Sequence, residues 1–308
     1  MLRFKCGSLD YGSNRLAHAM YQAFFGLSAS PFSLSPDPAF LYRSTQHEEA
    51  LANLIYGVQS HKGFIVLTGE VGTGKTTMLE CLRDFLARQR ITFASLFNSR
   101  LSVEQFFEMV AYDLDLRCAR NSKTEVLFAL NDLLVESANL GRTTVLIVDE
   151  AHNLTWDVLE EIRLLGNLES RRGKLLQIII AGQPELDRKL EAPEFRQLKQ
   201  RITLRCSLRP FEAHETAEYI ATRLAKAGMR QQTVFSSEIL AEIHYRTQGL
   251  PRLINSVCDN LLLTAFAMET KAATLDMLDE VTRDLRLDLS REPILQPVYQ
   301  ERTLGNTL

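Results

Sequence analysis

The sequence predicts an α/β fold: a parallel five-stranded sheet with helices on both faces, followed by a small all-helical domain. Three observations predict it. Short apolar runs alternate with amphipathic helical stretches up to residue 210. A segment of the form Gly-x4-Gly-Lys-Thr separates the first apolar run from the next helix. After residue 210 the text is helical until its periodicity ends. Continuous apolar strands alternating with helices are the mark of a parallel sheet covered on both faces.

In chain order, residues 1–20 carry no pattern and are expected to be a disordered extension. The 21–45 text holds Phe24, Phe25, Pro31, Phe32, Pro36, Pro38 and Phe40, and is expected to run extended, pinned to a surface by its rings. A helix over 46–60 follows, with Leu51, Leu54, Ile55 and Val58 on one face. Strands are expected at 64–68, 91–97, 145–149, 175–181 and 202–207, with helices near 75–88, 102–115, 123–139 and 155–170. A nucleotide-binding α/β domain therefore spans 21–210. The helical domain, 211–288, should hold helices at 214–227 and 237–247, closed by Gly228 and Gly249. A third starts at Pro251, whose missing N–H needs no partner in a first turn, and a last runs over 274–287. Residues 289–308 have two prolines and no periodicity, and are expected to form a disordered tail.

Composition bounds the function. A chain of 308 residues, 45% apolar and 24% charged, suits one large domain plus a small one. The net charge of -3 argues against a protein dominated by attraction to nucleic acid or anionic lipid, while leaving room for a local basic stripe. The cysteines (Cys6, Cys81, Cys118, Cys206, Cys258) are scattered without metal-ligand spacing and read as reduced, mostly buried thiols. No apolar stretch reaches bilayer-spanning length, and the N-terminus has no signal-peptide apolar region. The expected location is the cytoplasm.

Gly69-Glu70-Val71-Gly72-Thr73-Gly74-Lys75-Thr76, with Thr77 following, carries the first chemistry. Glycines let backbone N–H groups curl around a phosphate, and the helix N-terminus adds partial positive charge. Lys75 is expected to reach the β- and γ-phosphates of ATP, and the Thr76 hydroxyl to ligate Mg²⁺. Val145-Leu146-Ile147-Val148-Asp149-Glu150 supplies the second half. A buried strand delivers two carboxylates beside the loop, Asp149 to hold Mg²⁺ through water and Glu150 to polarise an attacking water. Asp149-Glu150-Ala151-His152 spells the box of one helicase class, but no second helicase core accompanies it. His152 is therefore expected at the surface or behind the site, where it could still sense the nucleotide state. Arg252 lies in the first turn of the helix that starts at Pro251, where positive charge opposes the helix dipole. A local rule broken this way points to function, and Arg252 is expected to reach the γ-phosphate from the helical domain.

Further stretches carry a family resemblance: Tyr21-Gln22-Ala23-Phe24-Phe25-Gly26-Leu27, Pro31-Phe32-Ser33-Leu34-Ser35-Pro36-Asp37-Pro38, Ala181-Gly182-Gln183-Pro184-Glu185-Leu186 and Gly249-Leu250-Pro251-Arg252-Leu253-Ile254-Asn255. With the two motifs above, the chain resembles the AAA+ ATPases of the general secretion pathway protein A (ExeA-type) family, including relatives associated with exosortase and exopolysaccharide loci. The resemblance runs over residues 20–287. It implies that Gln183, at the end of the strand beside the Asp-Glu strand, positions the attacking water. It also implies that Arg201, and less strongly Arg196, reaches into a neighbouring subunit's site as an arginine finger, so the expected partner is the chain itself in an oligomer or ring. Family members start at a Met-Tyr pair, so Met20-Tyr21 is the expected start and 1–19 an upstream extension. Secretion-type members often continue into a transmembrane helix and a periplasmic peptidoglycan-binding region, for which this text has no counterpart. Membrane recruitment is then expected to need an inner-membrane secretion or polysaccharide-export partner.

Two functions compete. One is an ATPase that assembles or drives an envelope secretion or polysaccharide export system. The other is a DNA-associated ATPase resembling transposition regulators, favoured by the basic run Arg171-Arg172-Gly173-Lys174, which reads equally well as a solvated turn. A non-hydrolysing switch is disfavoured by Glu150.

Overall fold

Five parallel strands lie side by side in the order β2-β3-β4-β1-β5: β1 (Phe64–Gly69), β2 (Thr92–Leu96), β3 (Thr144–Val148), β4 (Leu176–Gly182) and β5 (Ile202–Leu208). The computed structural model describes residues 21–287 apart from 36, 98–99, 120–121, 171–172 and 230–233. The expected extension at 1–20 and tail at 289–308 therefore lie outside the described residues. Strands β1, β3 and β4 are buried at every position, as their continuous apolar text requires. Strand β5 departs from that expectation. It forms an edge, and Thr203, Arg205 and Ser207 are exposed, so alternation replaces a continuous run.

Helices α1 (Thr45–Gln59) and α2 (Lys75–Arg88) cover one face of the sheet, where Leu54, Val58, Met78 and Leu82 pack with Ile65 and Leu67. Helices α3 (Val103–Asp113), α4 (Lys123–Asn139) and α5 (Trp156–Leu165) cover the other, where Phe106, Leu130 and Ile162 meet Phe64 and Val66. Successive β1 residues thus feed opposite layers, as the period of a strand demands. Each such buried aliphatic or aromatic side chain contributes about 1.5–3 kcal/mol. The start of α3 is fixed by a capping box between Ser102 and Gln105.

The helix expected at 155–170 stops at Leu165. Gly166 lies so close to the Phe64 ring that a Cβ there would sit 2.1 Å from it. Beyond it the chain forms a short antiparallel ribbon between Glu169–Ser170 and Gly173–Lys174. Arg171 and Arg172 of the basic run lie outside the described residues. An unforeseen helix, α6 (Pro184–Leu190), follows β4 with proline in its first turn.

The second domain comprises α7 (Ala213–Lys226), α8 (Ser237–Thr247), α9 (Pro251–Ala267) and α10 (Leu275–Asp284). Its core includes Ile220, Ile243, Leu261 and Leu278, together with Tyr21, Phe25, Leu27 and Phe32 from the start of the chain. The N-terminal rings are therefore buried in the helical domain. Residues 21–25 are helical, not extended, and the Tyr21 hydroxyl donates to Asp259 Oδ1 at 2.7 Å. The domain junction is close: Phe211 N donates to Gly249 O at 2.8 Å. Gly249 has φ +69°, and a Cβ there would lie 2.0 Å from Phe211 O. Cys81, Cys118, Cys206 and Cys258 are free thiols, two of them buried.

Candidate functional site

The glycine-rich loop leaves the C-terminal end of β1 and enters α2 through Gly74, whose φ of +101° is the left-handed conformation that glycine alone adopts freely. The Thr73 hydroxyl donates to Glu70 O at 2.9 Å and fixes the turn. Lys75 folds back inside it, its ammonium donating to Gly69 O at 2.6 Å and Glu70 O at 3.0 Å. Burial pulls the Lys75 pKa below the ordinary lysine value, against the opposing pull of Glu150 and Asp149. A buried ammonium held by neutral carbonyls retains charge that a phosphate oxygen would balance. The loop also meets the helical domain: Arg252 N donates to Gly72 O at 3.2 Å.

Strand β3 ends at the same place. Asp149 is buried, and burial raises its pKa while the Glu150 N–H donated to Oδ1 at 2.8 Å lowers it. Its Oδ2 accepts from the Thr76 hydroxyl at 3.3 Å, which brings the two expected Mg²⁺ ligands together. Both are hard oxygen donors suited to Mg²⁺, an ion that keeps waters and takes substrate phosphate oxygens. Among the described residues no group of three His, Cys, Asp or Glu side chains could hold a metal unaided. The donor set therefore fits a cation shared with a nucleotide. Glu150 has φ +52°, rare for a residue with a side chain, and this turn aims its carboxylate at Gln183, whose amide lies 3.5 Å away.

Lys75, Thr76 and Glu150 line one end of a 310 Å³ cavity that Val71, Gly72, Gly74 and Thr77 also border, with Asp149 bonded to Thr76 behind them. Its other end is formed by Ser33, Leu34, Ser35 and Asp37 of the N-terminal segment with Tyr219, Arg223 and Asn255 of the helical domain. Arg252 also lines the cavity, beside the loop: a Cβ at Gly72 would sit 2.8 Å from Arg252 Cβ. A buried relay holds the far end: Arg223 donates to Pro31 O and, at 2.7 Å, to the Tyr219 hydroxyl, which donates to Asn255 Oδ1 at 2.8 Å.

Sequence reasoning named no individual residue for this far end. Asn255 carried a signal, because it stands three residues after Arg252 and so on the same helix face. His47 was missed as well. Its Nε2 lies 3.1 Å from Thr73 O, so Nε2 carries the proton, and Nδ1 pairs with the Ser44 hydroxyl at 2.8 Å. Burial lowers the His47 pKa and keeps the ring neutral against the loop. His152, expected at the surface or behind the site, is enclosed behind it, with 11% of its side chain exposed.

Arg201 and Arg196 stand apart from this cavity. Arg201 precedes β5, whose Ile202 pairs with Phe64 at the opposite end of β1 from the loop. Its guanidinium donates to Arg163 O at 3.2 Å. Arg196, at the start of the short helix Arg196–Lys199, is exposed.

A family model described as an AAA domain matches residues 58–190. General secretion pathway protein A of Aeromonas hydrophila is 43% identical over 249 residues, which is 80% of this chain and 45% of that protein. The chain thus spans less than half the length of this relative. Among solved structures, Cdc6p of Pyrobaculum aerophilum is 18% identical with a TM-score of 0.64, covering 85% of this chain and 70% of that one. A Drosophila ORC structure bound to DNA is 18% identical with a TM-score of 0.60, covering 93% and 70%. Likeness at that identity is likeness of fold.

Proposed function

We propose that this chain, which matches an AAA-domain model over residues 58–190 and is 43% identical over 249 residues to general secretion pathway protein A, binds Mg-ATP and hydrolyses it as an oligomer. The work so driven is the assembly or energising of a cell-envelope secretion or polysaccharide-export system. One observation carries the reading: Lys75, Thr76 and Glu150 line a single cavity, with Asp149 bonded to Thr76 behind them.

In this reading Lys75 leaves its loop carbonyls for the β- and γ-phosphates, and the loop N–H groups cradle the β-phosphate. Thr76 and Asp149 would hold Mg²⁺, which would supply charge stabilisation at the phosphates. Glu150 orients and polarises water, with Gln183 beside it. Arg252 reaches the γ-phosphate from the helical domain. The N-terminal segment and the Tyr219–Asn255 pair enclose the base. Arg201 completes the site of a neighbouring copy, which fits its place at the far end of the sheet. Among the described residues no helix is long and apolar enough to cross a membrane. The proposed contact with the envelope runs through an inner-membrane partner.

The test is ATP turnover per chain across a protein-concentration series, with and without DNA, for the wild type and Arg201→Ala. Turnover that rises with concentration and collapses in the variant supports a shared site. Concentration-independent turnover removes the arginine finger. A large DNA-dependent increase would transfer the chain to the DNA-associated reading.

A further inference from the structure

We infer that His152 is a positioning residue for hydrolysis: it fixes the Gln183 backbone so that the Gln183 amide can hold Glu150. The inference rests on the reading of Glu150 as the group that orients the attacking water.

Three contacts define the arrangement. The Gln183 backbone N–H donates to His152 Nδ1 at 3.4 Å. The Gln183 side-chain amide donates to Glu150 Oε2 at 3.5 Å. His152 Nδ1 and Glu150 Oε2 lie 3.4 Å apart. A backbone N–H can only donate, so Nδ1 presents its lone pair and the ring proton sits on Nε2. Gln183 therefore supplies two donors to two neighbouring acceptors. Without the imidazole, its N–H loses an acceptor, and the residue whose amide faces Glu150 loses its backbone anchor.

The surrounding turn is fixed from several sides. Lys189 donates to His152 O at 3.1 Å and to Leu154 O at 2.5 Å. Gly182 passes so close that a Cβ would sit 3.2 Å from His152 N. Glu150 itself holds a left-handed backbone at φ +52°. Strain persists where neighbours over-determine it, and it is kept where geometry matters to chemistry.

The test compares His152→Leu, His152→Asn, Gln183→Ala and the His152→Leu/Gln183→Ala double variant in steady-state ATP turnover. His152→Leu should lower kcat about tenfold or more with KM for ATP unchanged, the scale seen when a group that orients a working ligand is removed. His152→Asn, whose carbonyl can accept the Gln183 N–H, should recover most of the rate. The double variant should be no slower than the slower single one, since both act through one contact. Unchanged kcat, a pure KM effect, additive losses or no rescue by Asn would each overturn the relay while leaving wild-type turnover intact. Absence of wild-type turnover would instead remove the hydrolysis reading and the positioning role with it. Imidazole ¹⁵N spectra of the wild type, with His152 assigned by difference, should show the neutral ring protonated at Nε2 with Nδ1 bare. A proton on Nδ1 overturns the relay whatever the turnover.

Discussion

The two ends of the cavity are built by different rules. At the phosphate end, residues 69–77 are consecutive and the carboxylates of Asp149 and Glu150 arrive at the end of one strand. The backbone makes that end: positive φ at Gly72 and Gly74, a helix N-terminus, and a lysine folded onto its own loop. The far end is assembled from an N-terminal segment at 33–37, from α7 at Tyr219 and Arg223, and from α9 at Asn255. Side-chain packing makes that end, across separations of almost two hundred positions between Pro31 and Arg223. Backbone-built sites need fixed residue types at fixed spacing. Sites built by packing need only side chains of the right reach, whatever their order in the chain.

That contrast can be sharpened by three substitutions or conditions, taken from the largest expected effect. Lys75→Ala should abolish stabilisation by Mg-ATP. A ligand at a hundred times its Kd stabilises the wild type by about 2.7 kcal/mol, and the variant should show none of that shift in a melting experiment. Its unliganded stability should not fall below the wild type's. The buried ammonium has a lowered pKa, so its charge works against folding until the pH rises towards the ordinary lysine range. A variant that still melts higher with Mg-ATP would break the assignment of the phosphate end.

Arg223→Met should act differently, through the fold first. It leaves Pro31 O and the Tyr219 hydroxyl short of a donor and removes the cation held over Phe40. The expected cost is about 1–3 kcal/mol in denaturant unfolding, with weakened nucleotide affinity. Unchanged affinity for a nucleoside such as adenosine would show that the relay does not shape the far end.

The smallest effect is a pH dependence. Burial raises the Asp149 pKa, so the stability linked to its protonated form is present below the ordinary aspartate value and lost as pH rises through the raised one. Mg²⁺ binding runs the other way, because the cation requires the carboxylate. Mg²⁺ affinity in the presence of ATP should therefore fall as pH drops through that raised value. Asp149→Asn should bind Mg²⁺ weakly with no such pH dependence; a flat wild-type profile would contradict the burial argument.

How much was legible follows the same division. Strands β1, β3 and β4 could be read because both their faces are covered; the edge strand β5 was also placed, at 202–207, but its alternating exposure was not foreseen. That Thr76 meets Asp149 beside Lys75 was legible from spacing. The overrun at 155–170 was not avoidable from periodicity, because the helix ends where Gly166 meets the Phe64 ring, a tertiary contact. His47 was invisible for a similar reason: its partner, Thr73 O, lies 26 positions away. Nor did the rings at 21–32 announce that they belong to the core of the helical domain, since aromatic text names no partner.

If the cavity binds Mg-ATP and Glu150 drives its hydrolysis, removing the Glu150 charge should separate binding from turnover. Glu150→Gln keeps the shape of the carboxylate and removes its charge. With ATP affinity and turnover measured side by side, affinity should stay within a few-fold of the wild type and turnover should fall by about 10²–10⁴. Turnover close to the wild-type rate would contradict that role for Glu150.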